Sequence, residues 1–162
     1  VLVLNAAVIA PRRIITVDGL ELTFVGNYLA PYLLTHLLML RLAEGARIVI
    51  MAADPVLLAR TPVDLDDLQS EQRFSPAVSY MRSKNMIVMF AYALARRLGS
   101  RGILVNSAHP GVIRTGLADN TTGLLRVMTK LANPFVPQAS VGADTPVCLA
   151  TSAIIRSGGD FY

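Results

Sequence analysis

Tyr80 and Lys84 stand four residues apart in Tyr80-Met81-Arg82-Ser83-Lys84, at the head of a stretch with helical periodicity. On a helix, residues i and i+4 lie one above the other on the same face. A phenol and an ammonium held that way form a tuned proton donor. The neighbouring positive charge favours phenolate and is expected to lower the Tyr80 pKa from its usual value of about 10. Such a phenol can give a proton to a carbonyl oxygen or take one from an alcohol. The spacing alone is not specific, because Tyr-x-x-x-Lys also arises as a surface pair in unrelated helices. Its weight depends on the elements around it.

Residues 79–98 read as an amphipathic helix, with Met86, Met89, Phe90, Ala93 and Leu94 at helical spacing. Arg96 and Arg97 suit the negative end of its dipole, and Gly99 is the expected C′ residue. The β-branched run at 102–108 reads as a buried strand, ending in His109-Pro110-Gly111-Val112-Ile113-Arg114-Thr115. A Pro-Gly turn at the carboxyl end of a strand is where an open α/β sheet places ligand contacts. The full order is strand 2–5, helix about 18–43, strand 47–52, helix 79–98, strand 102–108, helices about 117–131 and 139–152, and a strand start near 159. Strands alternating with helices imply an α/β fold with a parallel sheet. The loops at 54–76 and 116–133 are the longest interruptions. No repeat or low-complexity linker divides the chain, which reads as a single domain over 1–162.

These motifs, in this order, resemble the short-chain dehydrogenase/reductase family, and within it the retinol-dehydrogenase-like group. Leu2-Val3-Leu4-Asn5-Ala6-Ala7 is similar to the family's Asn-Ala-Gly strand end. Thr16-Val17-Asp18-Gly19-Leu20-Glu21 and Asn27 resemble the start of the helix that carries the family's Asn. Arg47-Ile48-Val49-Ile50-Met51 resembles the strand leading to the catalytic Ser. Tyr80/Lys84 and Pro110-Gly111 with Thr115 follow, then Gly142-Ala143 and Ser157-Gly158-Gly159-Asp160-Phe161-Tyr162. The resemblance covers essentially the whole chain. It implies a partial Rossmann-type, doubly wound parallel sheet with flanking helices, binding NAD or NADP. The chain starts with Val1 at what would be the fourth strand, and no Gly-rich turn that could cradle a pyrophosphate is present. It is therefore expected to be the C-terminal portion of a larger domain, or a truncated homologue, and weak at cofactor binding and inactive when alone.

The resemblance implies an oxidoreductase that interconverts an alcohol and a carbonyl by hydride transfer. Tyr80 would be the general acid/base. Lys84 would depress its pKa and hydrogen-bond the nicotinamide ribose. Pro110, Gly111, Ile113 and Thr115 would border the nicotinamide, and Asn5 and Ala6 would lie near the adenosine-side ribose. Thr115 can equally cap the following helix, and Asn5 can be a strand-end turn residue. Asn27 has support from the sequence itself. Pro31, four residues later, has no N–H to give the Asn27 carbonyl, and its ring crowds that carbonyl. The helix should kink there, with Gly26 easing the bend. The freed carbonyl needs another partner, such as water. In the resembled family, an Asn here holds a water linked to the lysine.

One departure stands out. The family places a Ser just after the strand that ends here at Met51, to polarise the substrate carbonyl, but this chain has Ala52 and Ala53, followed by Asp54. Losing such a donor typically costs a hundred- to a thousandfold in rate, or about 3–4 kcal/mol. Asp54 would repel developing negative charge, and no spacing singles out Ser79, Ser83 or Thr61 as a replacement. Two alternatives stay open: an enzyme with an altered donor set, and a catalytically silent homologue with a binding or interaction role. A sugar-nucleotide epimerase-like enzyme, which shares Tyr-x-x-x-Lys, fits the Pro-Gly and Thr spacing less well.

Composition agrees with a buried α/β core. Of 162 residues, 53% are hydrophobic and 16% charged, as expected where parallel strands are covered on both faces. A partial sheet would also expose apolar surface that the missing part of the domain should cover, and a homo-oligomer is a further expectation. The single cysteine, Cys148, excludes an internal disulfide and suits a reducing, cytoplasmic compartment; it reads as core filler. His36 and His109 lack the neighbours of a metal site. The net charge of +4 is scattered, with no basic stripe for nucleic acid. The stretch 28–42 is short for a membrane span and carries Pro31, His36 and Arg41, so it reads as a buried helix. The partner expected is a small-molecule alcohol or carbonyl.

Overall fold

The computed structural model describes residues 1–111, 113 and 137–162. Three parallel strands, β1 (Leu2–Leu4), β2 (Arg47–Met51) and β3 (Leu104–Ala108), lie side by side in that order. Val3 pairs with Val49 and Ile48 with Val105, in unbroken register from one strand to the next. Beyond β3 the chain end continues the sheet. Phe161 makes a parallel bridge to Ser107, and the His109 N–H donates to the Tyr162 carbonyl at 2.8 Å. Asn106 anchors that segment, donating to the Ser157 carbonyl and accepting from the Asp160 N–H, both at 3.1 Å.

Alternating strand residues face helices on both sides of the sheet. Leu4, Ile48, Ile50 and Val105 pack against α4 (Pro76–Leu98) through Ile87, Phe90, Ala91, Leu94 and Leu98. Val49, Met51 and Ala108 pack on the other side against Leu149 of α6 (Asp144–Thr151), which follows the short α5 (Ala139–Gly142). The buried stripe of α4 is rotated from the expected one: Met89 and Ala93 point to solvent, because the sheet is met through Ile87 and Ala91 instead. Its C-terminal turn also differs. Gly99 opens a 3-10 turn, and Gly102 takes the left-handed conformation, φ 65°.

The expected helix at 18–43 begins later, at Leu22, because Glu21 caps it. The fully buried Glu21 carboxylate accepts from the N–H groups of Thr23 at 2.8 Å and Phe24 at 2.7 Å. The kink expected from Pro31 takes the form of a widened turn. Between α1 (Leu22–Phe24) and α2 (Ala30–Leu38) lies a π-helical segment, Val25–Leu29, in which the Ala30 N–H reaches back to the Val25 carbonyl. The extra residue in the turn accommodates the proline ring that an α-helical turn would push onto the Asn27 carbonyl. A Cβ at Gly26 would come within 2.9 Å of Val8 Cγ1, so glycine lets this bulge approach the segment after β1.

Two further expectations change. The stretch 54–76 is not all loop, since it holds α3 (Pro55–Arg60). Asp54 caps that helix, accepting from Val56 N at 2.8 Å and Leu57 N at 3.1 Å, with Pro55 in the first turn. Cys148 is exposed on α6 rather than buried. The helix over 28–42 is only half-buried, with Leu33, Leu37 and Leu40 facing out. No described helix is long and apolar enough to cross a membrane. The expected helix at 117–131 lies outside the described residues.

Candidate active site

Tyr80, Ser83 and Lys84 occupy the first turns of α4, where the helix passes the carboxyl end of β2. Lys84 is only 3% exposed, and its Nζ donates to the Met51 carbonyl, the last of β2, at 2.8 Å. Nζ lies 5.7 Å from the centroid of the Tyr80 ring, so the two side chains share one face as their spacing predicts. The Tyr80 ring packs against the cluster formed by Ala52, Ala53, Leu58 and Val88. Burial governs both titrations. It pushes Tyr80 up to about 12 and Lys84 down to about 8. This corrects the expectation of a depressed tyrosine: both groups lose hydration on burial, and that loss outweighs their mutual attraction at this distance.

Asn27 is brought to the same helix from the π-helical segment. It is 2% exposed, and its side-chain amide has three partners. Oδ1 accepts from Val8 N at 2.7 Å, while Nδ2 donates to the Val8 carbonyl at 2.9 Å and to Ser83 Oγ at 2.9 Å. Ser83 Oγ in turn donates to the Tyr80 carbonyl at 2.6 Å. Nothing in the sequence singles out Ser83 beyond its place before Lys84, because its partner is 56 residues away.

Among the described residues, none places a hydroxyl where a carbonyl-polarising one is expected. Ala52 and Ala53 follow β2 directly, Ala53 is 5% exposed, and the Ala52 N–H is spent on the Ala108 carbonyl at 2.8 Å. The hydroxyls of Ser79 and Ser83 do not fill the gap. Ser79 Oγ faces the Glu21 carboxylate at 3.5 Å, and Ser83 is engaged as described. Thr61 sits in the turn closing α3, its carbonyl accepting from Asn85 Nδ2 at 2.8 Å. Asp54 is committed to its cap.

The remaining expected residues surround the carboxyl ends of the strands. Asn5 and Ala6 follow β1 and are exposed. Pro110 and Gly111 follow β3, with Gly111 at φ 77°. Ile113 is near α5: a Cβ at Gly142 would stand 2.5 Å from Ile113 Cδ1 and 3.1 Å from the Pro110 carbonyl, so a larger residue there would displace the Ile113 side chain. Thr115 lies outside the described residues.

Comparison with known proteins agrees with this fold. No protein-family model matches the chain. Human retinol dehydrogenase 12 is 33% identical over 163 residues, covering 100% of this chain and 51% of that protein. Among solved structures, the angucycline C-6 ketoreductase LanV with bound NADP superposes with a TM-score of 0.69 at 26% identity, over 99% of this chain and 58% of that one. Over its whole length this chain is similar to the short-chain dehydrogenase/reductase family. A short-chain dehydrogenase from Burkholderia cenocepacia J2315 in complex with NADP gives a TM-score of 0.68 at 26% identity, over 99% of this chain and 61% of that one. The chain spans about half the length of the curated relatives it matches.

Proposed function

We propose that the protein carrying this chain is an NAD(P)-dependent oxidoreductase that interconverts a lipophilic alcohol and its carbonyl, with Tyr80 as general acid/base. The observation that carries this reading is the buried Tyr80–Lys84 face of α4 at the end of β2, with Asn27 bonded to the same helix. Tyr80 held near 12 is a neutral phenol at neutral pH, which is the form that protonates a nascent alkoxide in carbonyl reduction. Lys84 would orient the cofactor's ribose and, while protonated, favour the phenolate as the proton leaves. The Asn27 carbonyl, which Pro31 cannot serve as a donor, would hold a water leading to Lys84.

The described residues fit the nicotinamide side of a dinucleotide. Among the described residues nothing stands within 4 Å of where a Cβ on Gly111 would be, and Pro110 lies beside it after β3, while Asn5 and Ala6 after β1 would face the adenosine-side ribose. When bound, the nicotinamide supplies or accepts the hydride. This chain's own residues would orient it and move the proton. Relatives named retinol dehydrogenase favour a lipophilic substrate, and NADP in solved relatives favours NADP over NAD. One exposed thiol suits a reducing, cytoplasmic compartment.

A second reading rests on Ala52 and Ala53. With no hydroxyl at the end of β2, the protein is a silent homologue that keeps the fold for binding. NADPH consumption by the whole protein over a panel of ketones, aldehydes and retinoid-like carbonyls separates the two. Turnover that disappears in Tyr80→Phe supports the oxidoreductase. No turnover with any substrate favours the silent homologue.

A further inference from the structure

We infer that Ser83 is a positioning residue, which locks the Tyr80–Lys84 face of α4 to the π-helical segment through Asn27. This rests on the oxidoreductase reading above. Three chain segments meet at one buried point: the connection after β1 at Val8, the π-helical turn at Asn27, and α4 at Ser83. Ser83 is 1% exposed. A serine inside a helix can turn its hydroxyl back to the carbonyl three residues earlier. Here that carbonyl belongs to Tyr80, at 2.6 Å. The hydroxyl proton is thereby spent, and the oxygen is left to accept. It takes one Asn27 Nδ2 hydrogen at 2.9 Å, while the other goes to the Val8 carbonyl. The Val8 N–H closes the set on Oδ1. Every donor of the Asn27 amide is therefore matched, and the serine proton has a single orientation that satisfies the group.

The lock acts at the right place. Ser83 lies between Tyr80 and Lys84 and fixes their helix to Asn27, whose own carbonyl lacks a donor from Pro31. The Asn27 amide also ties both groups to the segment leading from β1, where Asn5 and Ala6 lie. An alanine at 83 would leave a buried Nδ2 hydrogen unmatched, and Asn27 would swing or admit water. Tyr80 would then be held less firmly against the strand ends. A misplacement of about 1 Å in a reacting group can lower turnover by a factor on the order of a hundred.

The test uses the whole protein and three variants: Ser83→Ala, Ser83→Thr and Tyr80→Phe. Ser83→Ala should lower kcat about tenfold or more, with little change in the KM for NADPH, and should shift the pH profile of kcat. Ser83→Thr, which keeps the hydroxyl, should recover most of the loss. Hydrogen exchange should rise in Ser83→Ala at Val8 and over 25–30 while β2 stays protected. Ser83→Ala with normal kcat and an unmoved pH profile, alongside a dead Tyr80→Phe, overturns the positioning role alone. A kcat loss that threonine does not recover, or increased exchange throughout the sheet, also overturns it, since the residue would then be structural. Full activity in Tyr80→Phe, or an inert wild-type protein, overturns the underlying reading and the positioning role with it.

Discussion

The first turns of α4 and the carboxyl end of β2 lie against each other, and they are built in opposite ways. On α4 and the π-helical segment, Lys84, Ser83 and Asn27 are buried polar groups with matched partners. Directly opposite, Ala52 and Ala53 present only methyl groups. Burying polar groups is costly unless their bonds are made. The α4 side therefore reflects a sequence in which several distant residues agree, whereas the β2 side retains shape without chemistry. The contrast separates two tasks that a reductase combines, handling the proton and polarising the carbonyl. On the proposed reading, Tyr80, Lys84 and Asn27 serve the first task, and Ala52 and Ala53 at the end of β2 offer no hydroxyl for the second.

The strongest way to break this contrast is to remove the phenol. Tyr80→Phe should reduce turnover by a factor on the order of 10² to 10⁴, the range of general acid catalysis. Steady-state NADPH consumption checks this, and retained activity would mean that the proton comes from elsewhere.

Lys84 gives the next largest effect, read as stability against pH. Its folded pKa is about 8, against 10.5 for the free group, so the unfolded chain binds more protons between those values. Stability should therefore rise as pH goes from about 8 to 10.5, by at most about 3 kcal/mol. Tyr80 acts in the opposite sense. Its folded pKa of about 12 lies above the free value of 10.0, so stability should fall as pH rises beyond 10. Urea unfolding across this range should show a maximum near pH 10, and Lys84→Met should abolish the rising limb. An unchanged profile in that variant would show that Lys84 is hydrated, and the buried character of the α4 side would be wrong.

Glu21 and Asp54 sharpen the comparison on smaller scales. Glu21 is a buried cap at the start of the segment that carries Asn27, whereas Asp54 is a more exposed cap just beyond the alanines. Glu21→Ala should cost about 2 kcal/mol, because two N–H groups lose a charged partner out of water. Asp54→Ala should cost about 1 kcal/mol, a typical exposed cap. Chemical denaturation of both variants checks the order, and equal losses would argue against the difference in burial.

What the sequence revealed follows from the range of each interaction. Tyr80 and Lys84 were legible because helical spacing is local. The parallel sheet was legible because fully covered strands such as Ile48-Val49-Ile50 are continuous apolar runs. The distortion at Asn27 was legible because proline removes a donor from a carbonyl four residues back. The close approach of Gly26 to Val8 beside that turn was not legible, because it is a contact between segments. The same limit applies to Ser83, whose partner Asn27 is 56 residues away. The titration of Tyr80 was misjudged because residue spacing reports a neighbouring charge, whereas burial is set by Ala53, Leu58 and Val88 packed around the ring. Met89 and Cys148 were misplaced for a related reason: periodicity locates an apolar stripe only to within about one residue of rotation. The helix α3 had a local signal in Asp54-Pro55, an N-cap followed by a first-turn proline.

The proposed division between a proton-handling side and a carbonyl side without its hydroxyl is tested most directly by restoring the hydroxyl. NADPH-dependent reduction should be measured for the wild-type protein, Ala53→Ser, and Ala53→Ser combined with Tyr80→Phe. A donor that strengthens its bond as charge builds on the oxygen raises kcat, on the order of a hundredfold for a well-placed group. The expected result is a gain of that order in Ala53→Ser, lost entirely when Tyr80 is also replaced. A gain that survives without Tyr80, or no turnover even with the serine in place, would contradict it.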